Sequence, residues 1–386
     1  MMDGLTLDEQ EILLGRPVES LLTDKDREAY EGQRCLVTGA AGSVGSELSR
    51  QIAACRPAGL TLVDQSEEGL FRLEQQLRQL HPNLSLDIAL SDVTRMGSVK
   101  HAVRRAAPQI VFHAAAYKHV TMAERAACAA ARVNVMGTAE VLTALRDSGA
   151  RFVLVSSDKA AAPRSVMGAT KRFAELLTLA NADRGFTPMV VRFGNVLASS
   201  GSFVPMTRER IQAGLPILLT HPEATRYFMA LTEAAALVMK SAACGSGGET
   251  FWLDMGQQVR MGDLAERLQM LAARRGWPQV PTEIIGLRPG EKLVEQLTTD
   301  ADEESSSSVH PRVRVSRPPL PWLLRVESLL RILRRHVGQE DALGTLRTLK
   351  AAVTDFEPSA HAWASAQIRR AEVDDASDGD VEARTA

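Results

Sequence analysis

The sequence predicts an α/β fold, a doubly wound parallel sheet followed by a smaller C-terminal lobe, and three observations carry that reading. Short β-branched runs alternate with longer amphipathic stretches from Gln33 to Asn195, the pattern of repeated βα units with helices on both sheet faces. After about Ser199 the regularity fades into mixed segments, as it does where a second lobe takes over. The 386 residues are enough for two lobes sharing a core.

The first unit reads RCLVTG, a helix from about Ser43, LTLVD, and a helix from about Glu67 to Leu80. Alternation continues through the Leu84–Ser91 run, IVFHAA at 110–115, a helix near 128–147, RFVLVSS at 151–157, a helix near 166–182 and PMVVRFGN at 188–195. PILLT, ETFWLDM and a helix from about Met261 to Arg275 then build the second lobe. The expected divisions are an N-terminal extension (1–30), a main cofactor-binding domain (31–198), a lobe drawn mainly from 199–300, a linker (301–321), C-terminal helices (322–358) and a disordered tail (372–386). An acidic patch, the Ser305–Ser308 run and RPPLPW mark the linker, and EVDDASDGDVEARTA marks the tail.

Lys and Arg number 45 against 47 Asp and Glu, a formal charge of -2, so the totals favour neither a nucleic-acid binder nor a polybasic membrane anchor. Cys35, Cys55, Cys128 and Cys244 are widely spaced, with no C-x-x-C, which argues against a disulfide framework or a zinc site; no metal is expected. The N-terminus is acidic where a signal peptide is basic, and no run of about 18 apolar residues occurs. A cytoplasmic location is the expectation.

TGAAGSVGSE sets Gly39, Gly42 and Gly45 between an apolar strand and an amphipathic helix, a relative of the Rossmann-like dinucleotide fingerprint. The first glycine permits the tight turn, the next lets N–H groups of the loop and of Ser43 and Val44 approach a pyrophosphate, and the last lets helix and strand pack closely. Asp64 ends the second strand about 20 residues on, where a carboxylate accepts from an adenosine 2′-hydroxyl and repels a 2′-phosphate. NAD is favoured over NADP. Ser66 follows Asp64, and Asp92-Val93 closes the third strand, where Asp92 either holds the adenine edge or caps the helix before Met96. Ala114, Ala115 and Ala116 end the fourth strand against the same crevice.

With TGAAGSVG, HAAAYKHV (113–120), NVMGT (134–138), SSDKAAAPRSVMGATKR (156–172), RFGNVLASSGSFVP (192–205), THPEATRYFM (220–229) and GLRPGEKL (286–293), the chain strongly resembles a family. This is the extended short-chain dehydrogenase/reductase branch of bacterial polysaccharide and glycan biosynthesis, the UDP-N-acetylglucosamine 4,6-dehydratase group. The match runs from about Leu14 to about Pro358 in the family's order. Many members carry transmembrane helices before this domain, and this chain resembles the short, soluble form. The resemblance implies hydride removal from sugar C4, loss of the C5 proton and the 6-hydroxyl, and hydride return to C6, which needs a hydride store, a base and an acid.

By resemblance, Asp158 of the Ser157-Asp158-Lys159 triplet is the acid on the leaving hydroxyl and Lys159 the C5 base. Lys159 then needs a lowered pKa, from burial or from cations such as Lys171, and Asp158 a raised one. Where the superfamily has Tyr-x-x-x-Lys, this chain has Met167-Gly-Ala-Thr-Lys171. Methionine cannot take the C4 hydroxyl proton, and at this position it resembles the configuration-retaining dehydratases; Lys171 still holds the nicotinamide ribose. Where relatives read Asn-Pro-Thr-Asn, this chain has Ala162-Pro163-Arg164-Ser165.

Tyr117, Lys118 and His119 follow the fourth strand, and in this family such a lysine reaches substrate or cofactor. Asn195 ends the sixth strand. Arg226 and Arg288 offer planar forks for phosphate oxygens, and Glu291 orients Arg288 or touches the nucleotide. Phe203, Val204 and Pro205 are candidates for contact with the base, uracil by resemblance. The helices after Met122 and near 166–182 pack in related enzymes as a four-helix dimer interface, so a homodimer or higher homo-oligomer is expected, although a buried helix within one chain explains their alanine runs equally well. LLRVESLLRILRRHV is basic and amphipathic, which suits a membrane surface; the family ends with a similar solvated helix. Two rivals remain: a C4 or C5 epimerase of the same family, which normally has a tyrosine at 167, and a non-catalytic NAD-binding module.

Overall fold

The computed structural model describes residues 5–182, 184–299, 307–310, 312–317 and 325–369; the tail predicted at 372–386 lies outside them. The sheet begins with β1 (Arg34–Thr38), β2 (Gly59–Asp64), β3 (Leu86–Leu90), β4 (Ile110–His113), β5 (Arg151–Val155) and β6 (Thr187–Arg192). Short strands follow: β7 (Asn195–Val196), β8 (Ile217–Leu219), β9 (Thr225–Arg226) and β10 (Phe228–Met229), then β11 (Glu249–Leu253), β12 (Val259–Arg260), β13 (Thr282–Ile284), β14 (Ser307–His310) and β15 (Val313–Ser316). The main sheet has nine strands in the order β14-β15-β11-β6-β5-β4-β1-β2-β3. From β3 to β11 the pairings are parallel, and β15 and β14 add antiparallel. Chain order reverses between β1 and β4, which opens a crevice at their carboxyl ends, where ligands of this architecture bind.

Strand period sorts the core onto two faces. Leu36, Val111, Phe152, Leu154 and Val190 pack in one cluster, while Val37, Phe112, Val153, Val155 and Val191 pack in the other. The second face is covered by α3 (Ser43–Ala54), α4 (Glu67–Leu80) and, later in the chain, α11 (Leu231–Cys244). On the first face lie α5 (Met96–Ala106), α6 (Val120–Arg125), α7 (Ala127–Ala131), α8 (Thr138–Ala144) and α9 (Val166–Leu179). The helix predicted near 128–147 is interrupted by a π-helical turn, Arg132–Gly137, which swings Asn134 toward the crevice loops. Its amide accepts from the Tyr117 N–H at 2.7 Å and donates to the Tyr117 carbonyl at 3.0 Å and to Thr170 Oγ1 at 2.9 Å.

Three expectations are corrected. The span read as linker supplies β14 and β15; alternation in Val313-Arg314-Val315 buries both valines beside β11, and β11 itself joins the main sheet from within the span assigned to the second lobe. The 1–30 extension is no appendage. Its α1 (Leu7–Leu14) buries Leu13 and Leu14 among Val204, Ile211, Ile217, Leu264 and Leu268 of the second lobe, where α10 (Phe203–Gln212) and α12 (Met261–Arg274) meet. Arg16 closes a two-bonded ion pair with buried Glu233. Its α2 (Asp24–Glu28) and Tyr30 pack beside the sheet. The third correction concerns α9: every residue of it is buried within this single chain. The helices Val326–Gly338 and Ala342–Ala352 lay Val326, Leu333, Val337, Leu346 and Leu349 into its cluster. Helix α9 is thus a buried helix within one chain, covered by the C-terminal helices, while Met122 and Ile332 stay exposed. Among the described residues no helix is long and apolar enough to cross a membrane.

The carboxyl ends of β5 and β6 are tied to α9 by one buried carboxylate. Glu175 accepts from Ser156 Oγ at 2.6 Å, from Arg192 Nε at 2.8 Å and Nη2 at 2.7 Å, and from Arg172 Nη1 at 2.9 Å. Burial opposes its charge, and the two guanidiniums more than offset that, holding its pKa below the ordinary range. Glu175→Ala removes the carboxylate shared by two buried guanidiniums, so urea unfolding should show a loss of about 3–5 kcal/mol. A loss under about 1 kcal/mol would show that the cations find water instead.

Candidate active site

The crevice is a cleft of about 780 Å³ lined by the glycine loop, the ends of β4, β5 and β6, and the Ser199–Ser202 turn. The glycine loop is built by exclusion. Gly39 has a φ of +66°, and a Cβ there falls 2.5 Å from the Ala115 nitrogen; a Cβ on Gly45 falls 2.0 Å from the Gly39 carbonyl oxygen. Neither position admits a side chain. Gly42 caps α3 without a side-chain hydrogen bond, so the N-terminus of α3, with Ser43, Val44 and Gly45, opens on the cleft with its first-turn N–H groups free of a side-chain cap. Ala114 and Ala116 line the cleft; Ala115 packs back against the core.

Asp64 ends β2, where it accepts from the Ala41 N–H and the Ser66 N–H, both at 2.9 Å. It thereby shapes the loop and keeps spare acceptor lone pairs. Ser66 caps α4 through Gly69 N. Asp92 caps its own turn by accepting from Thr94 N at 2.8 Å, and Arg95 is the N-cap of α5, so the capping role proposed for Asp92 is corrected. Val93 is buried under Gly137. Asp64, Ser66, Asp92 and Val93 all sit at strand ends outside the cleft lining.

At the end of β5, a 3₁₀ turn of Asp158–Ala160 holds the residues predicted as acid and base. Asp158 is fully buried. Its Oδ1 accepts from Ser157 Oγ at 2.8 Å and from Lys159 Nζ at 3.0 Å, while Oδ2 is buried with no hydrogen-bond partner. Lys159 lines the cleft and also donates to Asn195 Oδ1 at 3.2 Å. The expectation of a lowered Lys159 pKa is corrected. Burial, the largest influence, pulls it down, but the charges of Asp158 and Glu295 together with the Asp158 hydrogen bond raise it on balance.

Met167 is buried on the cleft wall, and Lys171, one α-helical turn on, donates to the Val155 carbonyl at 2.5 Å. Burial pulls Lys171 down to about 8 against the opposing charge of Glu175. Ser165, in the departing Ala-Pro-Arg-Ser segment, caps α9 through Gly168 N, so the segment keeps a helix-starting role. Lys118 donates to Ser199 Oγ at 3.3 Å across the cleft, and burial lowers its pKa. His119 lines the same wall, against Gly201.

The second-lobe candidates divide. Val204 lies in the lobe's core and Phe203 packs against it, with Pro205 partly buried on the same helix, so none of the three lines the cleft. Arg226 is buried and spends its guanidinium on the carbonyls of Thr225, Lys292 and Leu293. It clamps the 288–295 segment instead of standing free for phosphate. Arg288 is exposed; Glu291 accepts from its backbone N–H, not its guanidinium. Sequence reasoning missed Asn134, although NVMGT was in view, and missed Glu295. The latter is 3 % exposed and carries a buried Oε2 with no hydrogen-bond partner.

The model of the family described as polysaccharide biosynthesis protein matches residues 35–317. The chain belongs to that family. The Probable polysaccharide biosynthesis protein EpsC of Bacillus subtilis is 39% identical over 310 residues, 80% of this chain and 52% of EpsC. The capsular polysaccharide biosynthesis protein CapD of Staphylococcus aureus is 39% identical over 309 residues, 79% of this chain and 50% of CapD. The chain thus spans about half the length of these family members. Among solved structures, Pen from Bacillus thuringiensis has a TM-score of 0.71 at 28% identity, covering 76% of this chain and 90% of Pen. A dTDP-glucose 4,6-dehydratase, DesIV from Streptomyces venezuelae solved with NAD, has a TM-score of 0.60 at 22% identity, covering 68% and 88%, and shares the fold.

The loop geometry makes a direct prediction. Gly45→Ala forces the Gly39 carbonyl aside and should cost about 1–3 kcal/mol in urea unfolding. Gly42→Ala, whose Cβ meets that oxygen at 3.2 Å, should cost under about 1 kcal/mol. Equal costs would remove close strand–helix packing as the constraint on this loop.

Proposed function

We propose that this chain is an NAD-dependent nucleotide-sugar 4,6-dehydratase of the configuration-retaining kind, with UDP-N-acetylglucosamine as its substrate. The observation that carries the reading is the Lys159–Asp158 pair, 3.0 Å apart at the end of β5: Lys159 lines the cleft that the glycine loop also lines, and Asp158 is buried directly behind it. The site fits NAD. The loop leaves no room for a Cβ where a pyrophosphate must come close, the N-terminus of α3 faces the cleft, and Asp64 retains acceptor capacity at the end of β2. Lys171 is placed to hold the nicotinamide ribose. When bound, NAD supplies a store for the hydride that leaves C4 and returns to C6.

The residues account for the proton movements. Elimination needs a neutral amine to take the C5 proton and a carboxylic acid to protonate the departing 6-hydroxyl. The ion pair holds the same groups with the proton on the other side. One transfer from Lys159 Nζ to Asp158 yields both; elimination restores the charged pair, Lys159 returns its proton to C5 as the hydride reaches C6, and the proton released from the C4 hydroxyl on oxidation passes to water and finally re-protonates Lys159. Asn195 accepts from Lys159 and fixes where its nitrogen points. Asp158 Oδ2, buried behind the cleft lining and unpartnered, is the oxygen available to carry the proton for the departing hydroxyl. Met167 has no proton to exchange, so oxidation at C4 draws on Lys159, Asp158 or a water. The second lobe, mainly 199–300, closes over the sugar nucleotide.

Mass spectrometry of UDP-N-acetylglucosamine incubated with the protein tests this. The expected product is one water lighter, and Lys159→Ala should abolish it while NAD stays bound. Epimerisation leaves the mass unchanged, so a product of unchanged mass and altered mobility would replace the dehydratase reading with the epimerase one.

A further inference from the structure

Beyond the Asp158–Lys159 pair, a second buried carboxylate belongs to this site. Glu295 follows the clamped 288–293 segment, where Val294 bridges to Thr225 and Gln258 donates to the Glu295 carbonyl at 2.8 Å. Arg226 fixes the same segment through the Lys292 and Leu293 carbonyls. This segment reaches the end of β5 through Asn195, whose N–H donates to the Tyr227 carbonyl beside Arg226 at 2.8 Å and whose Oδ1 accepts from Lys159 at 3.2 Å. The Glu295 side chain does not line the cleft.

Three polar atoms around this point are buried without a hydrogen-bond partner: Asp158 Oδ2, Glu295 Oε2 and Lys292 Nζ. Lys292 Nζ lies 3.8 Å from Glu295 Oε2, ion-paired in charge but beyond hydrogen-bonding reach. Buried polar groups are normally paired, so unpaired atoms in these two segments call for a functional account. The charged groups that act on Lys159 are Asp158 on its own turn, Glu295 from the 288–297 segment and Arg226 from β9. Lys292 acts on Glu295, and Arg164 acts on Lys292.

We propose that Glu295 is a positioning residue that acts through Lys159: its carboxylate, brought in by the second lobe, holds the Lys159 ammonium at the end of β5. This rests on the assignment of Lys159 as the C5 base. Burial, reinforced by the Asp158 charge, raises the Glu295 pKa despite the opposing Lys159, Arg226 and Lys292, so Glu295 takes up a proton more readily than a surface glutamate. An ionised Glu295 favours protonated Lys159; a neutral one removes that support and eases the Lys159-to-Asp158 transfer. The second lobe thus reaches the chemistry electrostatically, without touching the reacting atoms.

The test compares the full-length wild type with Glu295→Gln and Glu295→Asp, each carrying NAD. The pH dependence of Lys159 acylation by acetic anhydride, read by peptide mass spectrometry, follows the amine directly, and the pH profile of water elimination follows the reaction. In Glu295→Gln both the acylation midpoint and the alkaline limb should move to lower pH by about one unit. Glu295→Asp should restore most of the shift. If the Gln variant does not fold, the Asp variant alone should move the midpoint slightly in the same direction. An unmoved midpoint in a folded variant overturns the proposal even if the wild type dehydrates its substrate. A moved midpoint in a protein that eliminates no water supports the coupling and overturns the reaction assigned to the site.

Discussion

The site hangs from one buried carboxylate. Strands β5 and β6 end side by side, and both ends must release the chain into loops that carry reactive groups; Ser156, Ser157, Asp158 and Lys159 leave β5, while Asn195 follows β6. Free strand ends of this kind fray. Glu175, on α9, accepts at once from Ser156 and from Arg192 at the last position of β6, so helix and both strands share one charge. Lys171, on the same helix, adds a bond to the Val155 carbonyl. Because α9 is wholly buried and its outer side is covered by the C-terminal helices, packing of the chain's last segment bears on the geometry of the cleft.

That dependence explains what the sequence made legible. Period and glycine spacing depend on neighbours a few residues away, so α3, α4, β1, β2 and the Gly39–Gly45 loop could be read directly, and Glu67–Leu80 falls where the pattern placed it. Ser157, Lys159, Met167, Lys171, Lys118 and Asn195 stand in a common motif order, and the fold gathers them at one cleft with Asp158 buried behind it. The misreadings involve partners far along the chain. Arg226 looks like a free phosphate fork until the 292–293 carbonyls arrive beside it. Val204 looks available until α1, from the first residues, closes the lobe's core around it.

The same logic governs Glu295. Nothing in EKLVEQL marks one glutamate over the other, and its importance comes from an encounter between segments more than a hundred residues apart. The span read as linker was misread for a related reason: Ser-rich and proline-rich flanks speak for a loop, yet alternating valines need only a waiting sheet edge to become a strand, and β11 supplies it. Tertiary context overrides composition at both places.

Charge at the junction of the lobes then has a physical reading. Lys159, Lys292 and Arg226 meet Asp158 and Glu295 in a region largely closed to water, and Lys292 keeps no hydrogen bond there. A buried cation in that state costs stability unless something anionic or polar completes it. The Glu295 carboxylate, 3.8 Å from Lys292 Nζ, is the anion that offsets it, and neither side chain lines the cleft, so this charge cluster bears on the site from behind the lining. The second lobe and the Lys159–Asp158 pair are thereby linked through the 288–295 segment: Arg226 holds its backbone, and the charge proposed to act on Lys159 sits at its end.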